Sequence, residues 1–268
     1  MRSGSEVCGS GSLKIHPTAI IHPDAELGEG VEIGPYTCIA GTVKIGSGTV
    51  IAERVSIEGH TTIGSDNEIF AGAIIGSRTQ DKKYKGGMTY LRMGDRNKIR
   101  EYVTINPGTK EGTETVLGDD NLLMAYAHVA HDCILKNHVI LANAATLAGH
   151  VVVEDRAIIG GLSAVHQFAR IGKLALVGGC SKVVQDVPPF MIADGHPARV
   201  YGLNTVGLDR AGFSKEDKMR LRQALKIIFK SGLTLKKALS ELENKNLTSP
   251  PLDTLIDFLK KSDRGICR

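Results

Sequence analysis

The sequence of 268 residues contains no tryptophan, and aromatic residues make up only 4% of it. Because large rings usually dominate a packed core, this core must consist of stacked aliphatic side chains, which favours a repetitive architecture. The five cysteines are odd in number, widely spaced and without a Cys-x-x-Cys pair: Cys8, Cys38, Cys133, Cys180 and Cys267. This pattern disfavours a disulfide framework or a zinc site and is typical of a reducing compartment.

The sequence also lacks a run of eighteen apolar residues, so no transmembrane helix is predicted and we expect a soluble protein. Residues 1–14 are polar and rich in Ser and Gly, without the apolar run of a secretory signal. We predict that this segment is disordered. The net charge of +4 is too small to indicate nucleic-acid binding, but it is compatible with an acidic partner or a phosphorylated substrate.

A six-residue repeat runs from Ile15 to Val183. Of the 29 positions reached by stepping six residues through this range, 26 hold Ile, Leu, Val or Met. A period of six fits neither an α-helix nor a simple strand. It fits a short strand followed by a corner with left-handed dihedral angles. Three such hexapeptides close one coil of eighteen residues, and stacked coils satisfy each other's backbone hydrogen bonds.

Three positions break the repeat, namely Asp81, Gly87 and Glu111. They mark two polar insertions, which we predict as surface loops over 77–92 and 107–115. Loops projected from a rigid scaffold often carry binding residues. The repeat ends near two consecutive prolines, so the predicted architecture is a parallel β-helix over 15–190 and an α-helical domain over 191–268.

The C-terminal region carries helix signals. Ser214 followed by Asp217 is typical of a capping box, and an apolar stripe at helical spacing follows as far as Gly232. Thr234 opens a second predicted helix, and a third is predicted over 252–261. The first helix is rich in basic residues: Lys215, Lys218, Arg220, Arg222, Lys226 and Lys230. This pattern fits either an ordinary solvated helix face or a docking surface for an acidic carrier protein.

Histidines concentrate in the most regular part of the repeat: His128, His131, His138, His150 and His166. At eighteen residues per coil, His131, Gly149 and Gln167 lie above one another, with His150 and His166 beside that stack. Because adjacent coils are about 4.8 Å apart, His131, His150 and His166 are predicted to converge on one surface.

Three interpretations of this cluster compete. A metal site needs imidazoles at close range in an open or tetrahedral geometry, and a related β-helix family of zinc carbonic anhydrases makes this a real alternative. The ligand spacing of that family is not evident in this sequence. Unconnected structural histidines are a second interpretation, which three residues on one ridge disfavour. We favour acid–base catalysis, for which a neutral imidazole is well suited.

Longer stretches carry a resemblance to one family: 80–84, 94–101, 121–133, 147–150, 158–168, 177–181, 185–189 and the tail from Gly207. These stretches are similar to bacterial UDP-N-acetylglucosamine O-acyltransferases, the hexapeptide-repeat enzymes that begin lipid A synthesis. The resemblance implies a left-handed parallel β-helix and a homotrimer with sites between subunits. It implies transfer of a 3-hydroxyacyl chain from acyl carrier protein to the 3-hydroxyl of UDP-N-acetylglucosamine, with no cofactor or metal.

The resemblance also assigns roles to individual residues. His131 is implied to be the general base, Asp132 the residue that orients it, and the Gly149 backbone N–H the oxyanion donor. Gly179 matches the family's acyl-length gauge, and it is predicted to lie about 13 Å along the coil axis from His131. Substrate contacts are implied at Asp81, Lys83, His128, His150, His166, Gln167, Asn204 and Arg210.

Four positions depart from the family pattern. Asn106 stands where relatives have His, Val206 and Ala211 replace polar or charged nucleotide contacts, and His196 replaces the more common Asn. These departures, with an Arg- and Ser-containing N-terminus, suggest a divergent member from a plant organelle. The predicted compartment is mitochondrial for a plant protein and cytoplasmic for a bacterial one. Two alternatives stay open, namely an acyltransferase for a related amino-sugar nucleotide and a non-catalytic β-helix scaffold.

Overall fold

A computed structural model describes residues 13–245 and 249–268. The segment 1–14, predicted to be disordered, therefore lies almost entirely outside the described residues. Twenty-six short strands wind into a parallel β-helix with three sheets, in which strands three apart in sequence are hydrogen-bonded neighbours.

The strands of the three sheets have the following bounds. The first sheet contains β1 (Lys14–Ile15), β4 (Glu32–Ile33), β7 (Val50–Ile51), β10 (Glu68–Ile69), β13 (Lys98–Ile99), β16 (Leu122–Leu123), β19 (Ile140–Leu141), β22 (Ile158–Ile159), β25 (Leu176–Val177), β27 (Met191–Gly195) and β28 (Ala198–Leu203). The second contains β2 (Ile20–Ile21), β5 (Cys38–Ile39), β8 (Ser56–Ile57), β11 (Ile74–Ile75), β14 (Thr104–Ile105), β17 (His128–Val129), β20 (Thr146–Leu147), β23 (Ala164–Val165) and β26 (Lys182–Val183). The third contains β3 (Glu26–Leu27), β6 (Lys44–Ile45), β9 (His60–Ile63), β12 (Tyr90–Met93), β15 (Glu114–Leu117), β18 (Ile134–Leu135), β21 (Val152–Val153) and β24 (Arg170–Ile171).

The register between coils is eighteen residues wherever the repeat is unbroken, as in the pairing of Leu147 with Val165. The second residue of almost every short strand points inward, and the resulting aliphatic ladders form one continuous buried core. Burying stacked methyl and methylene groups supplies the main driving force for such a coil, at about 25 cal/mol per Å² of apolar surface.

Both insertions leave the coil at the corner between the second and third sheets. They span 76–89, between β11 and β12, and 106–113, between β14 and β15. The last residues of the predicted loops, 90–92 and 114–115, belong instead to strands. There, β9, β12 and β15 pair over four residues with alternating inward side chains, so inter-strand pairing decides where each loop ends.

The C-terminal region does not begin with a helix, which corrects the prediction for 191–268. Its first part is the antiparallel pair β27 and β28, and β27 extends the first sheet by pairing with β25. The exposed hydrogen-bonding edge of the last coil explains this pairing, since an edge strand offers unpaired backbone groups.

Four α-helices follow: α1 (Thr205–Arg210), α2 (Lys215–Leu225), α3 (Leu235–Asn244) and α4 (Pro250–Lys260). A π-helical turn, Lys226–Lys230, continues α2. The predicted caps are present, because Ser214 accepts from the Asp217 N–H and Thr234 from the Lys237 N–H. The third predicted helix begins earlier than expected, at Pro250, where a missing N–H costs nothing. None of the helices in the described part of the chain is long and apolar enough to cross a membrane.

Candidate active site

One corner of the coil, between the second and third sheets, carries the candidate site. Asp132, His150 and Phe168 occupy equivalent positions in three successive coils, with φ angles of 58°, 60° and 66°. The His150 N–H donates to the His131 carbonyl over 3.0 Å, and the Phe168 N–H donates to the Gly149 carbonyl over 3.1 Å. The backbone ladder therefore projects these side chains from the same corner, one above the other.

His131 and Asp132 form a close pair. The distance between His131 Nδ1 and Asp132 Oδ2 is 2.8 Å, and the two side chains are only 13% and 9% exposed. Asp132 Oδ2 also accepts the Thr109 N–H at 3.2 Å, while the Asp132 N–H donates to Thr115 Oγ1 at 2.8 Å. Because an ionised carboxylate only accepts hydrogen bonds, the imidazole must carry its proton on Nδ1. This tautomer leaves the lone pair of Nε2 available as a base.

The two insertions wall this corner. Together with the coil they enclose a cleft of about 230 Å³. Its lining residues are Asp81, Lys83, Thr109, Lys110, Thr113, His131, Asp132, His150, Gln167 and Phe168. Asp81 Oδ2 lies 3.6 Å from His131 Nε2, and His150 Nε2 lies 3.7 Å from Asp132 Oδ2. The cleft therefore holds a candidate base next to polar groups able to bind a hydroxylated, anionic substrate.

Partial burial lowers the pKa of the His150 imidazole, which favours its neutral form. The nearby Asp132 and Asp81 carboxylates oppose this shift, whereas His131 and Lys110 add to it. Because a neutral His150 forms no ion pair with Asp132, His131 is the imidazole that interacts most closely with this carboxylate.

Gly149 allows the His131 ring to lie against the backbone of the next coil. A Cβ at this position would lie 2.5 Å from His131 Nε2, well inside van der Waals contact. Among the hydrogen bonds of the described residues, the Gly149 N–H has no acceptor, although its carbonyl accepts from Phe168. An unpaired N–H beside a candidate base is the arrangement that an oxyanion hole requires.

Two predicted histidines lie outside the cleft lining. His128 sits on β17, where its Nδ1 is 2.7 Å from Thr104 Oγ1, and burial followed by the neighbouring His131 lowers its pKa. His166 is exposed, with Nδ1 at 3.2 Å from the Gln167 carbonyl and 3.3 Å from Arg264 Nη2.

Asn204 and Arg210 lie on the helical side of the molecule. Asn204 is the N-cap of α1: its side chain accepts from the Gly207 N–H at 3.0 Å and donates to the Leu174 carbonyl at 2.9 Å. Arg210 is the last residue of the same helix. Neither residue lines the cleft of its own chain.

The distance of about 13 Å predicted between Gly179 and His131 is measured along the coil axis, and the two residues lie at different corners of the coil. Gly179 follows β25 and precedes β26, so it lies at the corner between the first and second sheets. It comes forty-eight residues after His131. That separation is two full coils of eighteen residues plus twelve residues, which is two-thirds of one more coil. Only separations that are multiples of eighteen keep two residues on one corner.

The residues that depart from the family pattern also have defined surroundings. Asn106 is buried and its Nδ2 donates to the Ser77 carbonyl at 3.0 Å, tying the two insertions together. His196 lies in the turn between β27 and β28, and Val206 is exposed on α1. Ala211, the C-cap of α1, lines a separate cleft formed with the coil.

His131, Asp132 and His150 could also hold a metal ion by geometry, since one ligand atom of each lies within 4.8 Å of the others. Two imidazoles and one carboxylate match the protein ligands of some catalytic zinc sites. However, Asp132 Oδ2 already accepts from His131 and from the Thr109 N–H. A metal ion would displace the hydrogen bond that selects the His131 tautomer, so the arrangement fits acid–base chemistry better.

Sequence reasoning missed four residues that line the cleft, namely Thr109, Lys110, Thr113 and Phe168. The Thr109 N–H reaches Asp132 from a loop whose path the repeat does not determine. Lys110 belongs to the same polar insertion, and charge alone did not distinguish it from a solvated residue. Phe168 could have been found, because it comes eighteen residues after His150.

Comparisons with known proteins identify relatives of the whole architecture. A family profile described as UDP N-acetylglucosamine O-acyltransferase, domain 2, matches residues 186–267. The acyl-[acyl-carrier-protein]–UDP-N-acetylglucosamine O-acyltransferase of Synechocystis is 51% identical over 204 residues, covering 75% of this chain and 74% of that protein. LpxA from Acinetobacter baumannii is 44% identical with a TM-score of 0.92, over 95% of this chain and 99% of that one. LpxA from Bacteroides fragilis, a UDP-N-acetylglucosamine acyltransferase, is 41% identical with a TM-score of 0.92, over 94% and 99%. The predicted left-handed parallel β-helix is confirmed by this structural agreement.

We expect the Gly149→Ala variant of this chain to turn over about 100-fold more slowly than the wild type in an acyl-transfer assay, because the new methyl group displaces the His131 ring. A steady-state assay and a thermal melt measure this. Gly202→Ala is the matched control, since a Cβ there meets nothing within 4 Å. Equal turnover of the two variants would contradict a role for the close approach at Gly149.

We also expect the free energy of unfolding to fall as the pH drops from about 7.5 to about 5.5. The unfolded chain protonates its imidazoles near pH 6.5, whereas His128 and His150 take up protons at lower pH when folded. Acid therefore favours the unfolded state across this window. Urea unfolding of the wild type and of His128→Gln measures the effect, and an unchanged pH dependence in the variant would exclude His128 as a source.

Proposed function

This chain belongs to the UDP-N-acetylglucosamine O-acyltransferase family, and we propose that His131 is the general base of its reaction. Members of this family transfer an acyl chain from acyl carrier protein to UDP-N-acetylglucosamine in lipid A synthesis, so the chain is a transferase. The observation that supports the role of His131 is its pairing with Asp132, which fixes the proton on Nδ1 and leaves Nε2 free in the cleft.

In the proposed mechanism, His131 Nε2 takes the proton of the sugar 3-hydroxyl, whose oxygen attacks the thioester carbonyl of a 3-hydroxyacyl chain. The Gly149 N–H donates to the resulting oxyanion. Collapse of the tetrahedral intermediate expels the carrier thiolate, which recovers the proton from the imidazolium. A positioned base contributes about 10²- to 10⁴-fold, and an oxyanion donor about 10²- to 10³-fold.

No acyl-enzyme is needed for this route. Cys133 follows Asp132 directly, but burial raises the pKa of its thiol to about 12. Its Sγ donates to the Ala148 carbonyl at 3.1 Å inside the coil. A thiol that stays protonated and buried is a poor nucleophile, which supports direct transfer.

Substrate contacts are proposed for the polar groups of the cleft. Lys83 offers a cation for the pyrophosphate of the sugar nucleotide, and Asp81, His150 and Gln167 offer groups for the sugar hydroxyls. Asp81 already lies within 3.6 Å of His131 Nε2, where the reacting hydroxyl would enter.

The remaining residues implied by the family are proposed to act across a subunit boundary. Gly179 lies at a different corner from His131, and Asn204 and Arg210 lie on α1 or beside it, away from the cleft of their own chain. In a homotrimer, one corner of a coil faces a different corner of the next copy around the threefold axis. A site between subunits would therefore combine the His131 corner of one copy with the Gly179 corner of its neighbour. His128 and His166, both on the second-sheet side of the His131 corner, would contact substrate in the same groove.

The acyl carrier protein is proposed to dock on the exposed face of α2. Lys215, Met219, Arg222 and Lys226 recur at helical spacing on this face and are exposed. On this face, three cationic side chains surround the apolar side chain of Met219. Such a surface favours electrostatic steering of a carrier domain that presents an acidic helix. Localisation in a mitochondrion or a bacterial cytoplasm stays a prediction from the sequence.

The central test is mass spectrometry of the products formed by the purified chain from UDP-N-acetylglucosamine and 3-hydroxyacyl carrier proteins of mixed length. We expect acylation of the 3-hydroxyl with a preference for long chains, because Gly179 leaves its corner open. His131→Ala should lower the rate by about 10²- to 10⁴-fold, whereas His138→Ala, at another corner, should not. Full activity of His131→Ala would sink the general-base assignment. Turnover only with another amino-sugar nucleotide would favour the acceptor alternative. Absence of turnover with every acyl carrier donor would favour the scaffold alternative.

The docking surface has its own test. Combined Arg222→Glu and Lys226→Glu should raise the KM for acyl carrier protein by about 10-fold through slower association, with little change for a short acyl-pantetheine donor. Lys236→Glu with Lys237→Glu reverses two exposed charges on α3 and is the control. Equal effects of both double variants would mean that general charge, not this face, recruits the carrier.

A further inference from the structure

The ring of Phe168 lies flat against the imidazole of His150. Their centroids are 4.5 Å apart and their planes differ by 7°. On the side away from Phe168, the His150 ring meets the His131 ring edge to face, with centroids 5.1 Å apart and an angle of 90° between the planes. Three rings thus stand in order at the mouth of the cleft, and Phe168, half exposed, is the outermost.

The coil itself produces this stacking. His150 and Phe168 are eighteen residues apart and share the left-handed backbone conformation of the corner. Their side chains therefore leave the backbone in parallel, one strand spacing of about 4.8 Å apart. Tyr102 and Tyr126 show the same geometry at another corner, with centroids 5.3 Å apart and planes within 9°. Stacked rings at successive corners are thus a property of the fold, which the site can use.

The His150 imidazole depends on this contact for its orientation. Its Nε2 lies 3.7 Å from Asp132 Oδ2, beyond hydrogen-bond distance. Within the described residues, no side-chain hydrogen bond to the His150 ring closes within 3.5 Å. Charged groups surround it, namely Asp132, Asp81 and Lys110, and each would attract or repel a ring that could turn freely. The flat face of Phe168 is the contact that restricts the ring plane.

We propose that Phe168 is a positioning residue for the transfer reaction, which holds the His150 ring so that its Nε2 faces the Asp132 carboxylate. In this orientation His150 cannot turn toward His131 Nε2, which stays free for the substrate hydroxyl. His150 Nε2 then lies 3.7 Å from the same Asp132 Oδ2 that accepts from the Thr109 N–H and from His131. The inference rests on the proposed function of His131, but it concerns a residue without any group able to exchange a proton.

The test compares three variants that separate a flat ring from mere bulk. Phe168→Tyr keeps the flat face and should stay within about 2-fold of wild-type kcat. Phe168→Leu fills the space without a plane, Phe168→Ala removes both, and each should lower kcat by about 10- to 100-fold. The KM for UDP-N-acetylglucosamine should change by a smaller factor than kcat in all three, because His150 is only one of several proposed sugar contacts. A loss in Phe168→Leu confined to KM, or full kcat in that variant, would overturn the proposal.

Two further measurements complete the experiment. His138→Leu removes an exposed ring from the corner between the third and first sheets and should keep wild-type kcat, once sedimentation shows an unchanged oligomeric state. The carbon-bound protons of His150, assigned by comparison with His150→Gln, should carry an upfield ring-current shift in wild type and Phe168→Tyr that is lost in Phe168→Leu. This shift is independent of turnover, so an inactive wild type would refute the proposed function while the shift still decides the positioning. An unchanged shift in Phe168→Leu would refute the positioning alone.

Discussion

The hydrogen-bond ladder between successive coils is the constraint on which the rest of the structure depends. Each strand pairs with the strand one coil on, eighteen residues later wherever no insertion intervenes, and this pairing satisfies the backbone along the whole axis. At the insertions the partners move to separations of thirty and twenty-four residues, as in Ile69 with Ile99 and Ile105 with Val129, and the ladder continues unbroken. Because a polar backbone group left unpaired in the interior is costly, the extra residues must leave at a corner. They leave at the corner that His131 occupies on the next coil, and so they form the walls of the cleft.

This constraint explains how much of the molecule can be predicted from its sequence. The period of six determines the strands, the inward ladders and the stacking of His131, Gly149 and Gln167, because these depend only on counting along a regular coil. Helix caps such as Ser214 are local and equally readable. The strands β27 and β28 were missed because they form against the edge of the finished coil, a contact that no local pattern encodes. The corner that Gly179 occupies follows from the same counting, because its separation of forty-eight residues from His131 is not a multiple of eighteen.

The chemistry of the site follows from burial at one corner. Asp132 is nearly buried, yet its Oδ2 accepts two hydrogen bonds, from the Thr109 N–H and from His131 Nδ1. Because Asp132 Oδ2 accepts the imidazole N–H, this contact selects one tautomer of His131. The loop residue Thr109 is therefore as necessary to this arrangement as the repeat itself. That contact could not be derived from the sequence, since an insertion without periodicity gives no register.

The size of the cleft bears on how the site is completed. At about 230 Å³ it is smaller than the roughly 300–1,000 Å³ typical of pockets that enclose a drug-sized ligand. A sugar nucleotide and a long acyl chain together are larger than such a ligand. The corner is also convex, since the coil is a prism, and a single prism offers no groove between its own corners. Two prisms packed side by side do form a groove, and its length follows the coil axis. In the proposed homotrimer, the same repeat that keeps one chain from enclosing both substrates would give neighbouring chains a straight groove for a linear acyl chain.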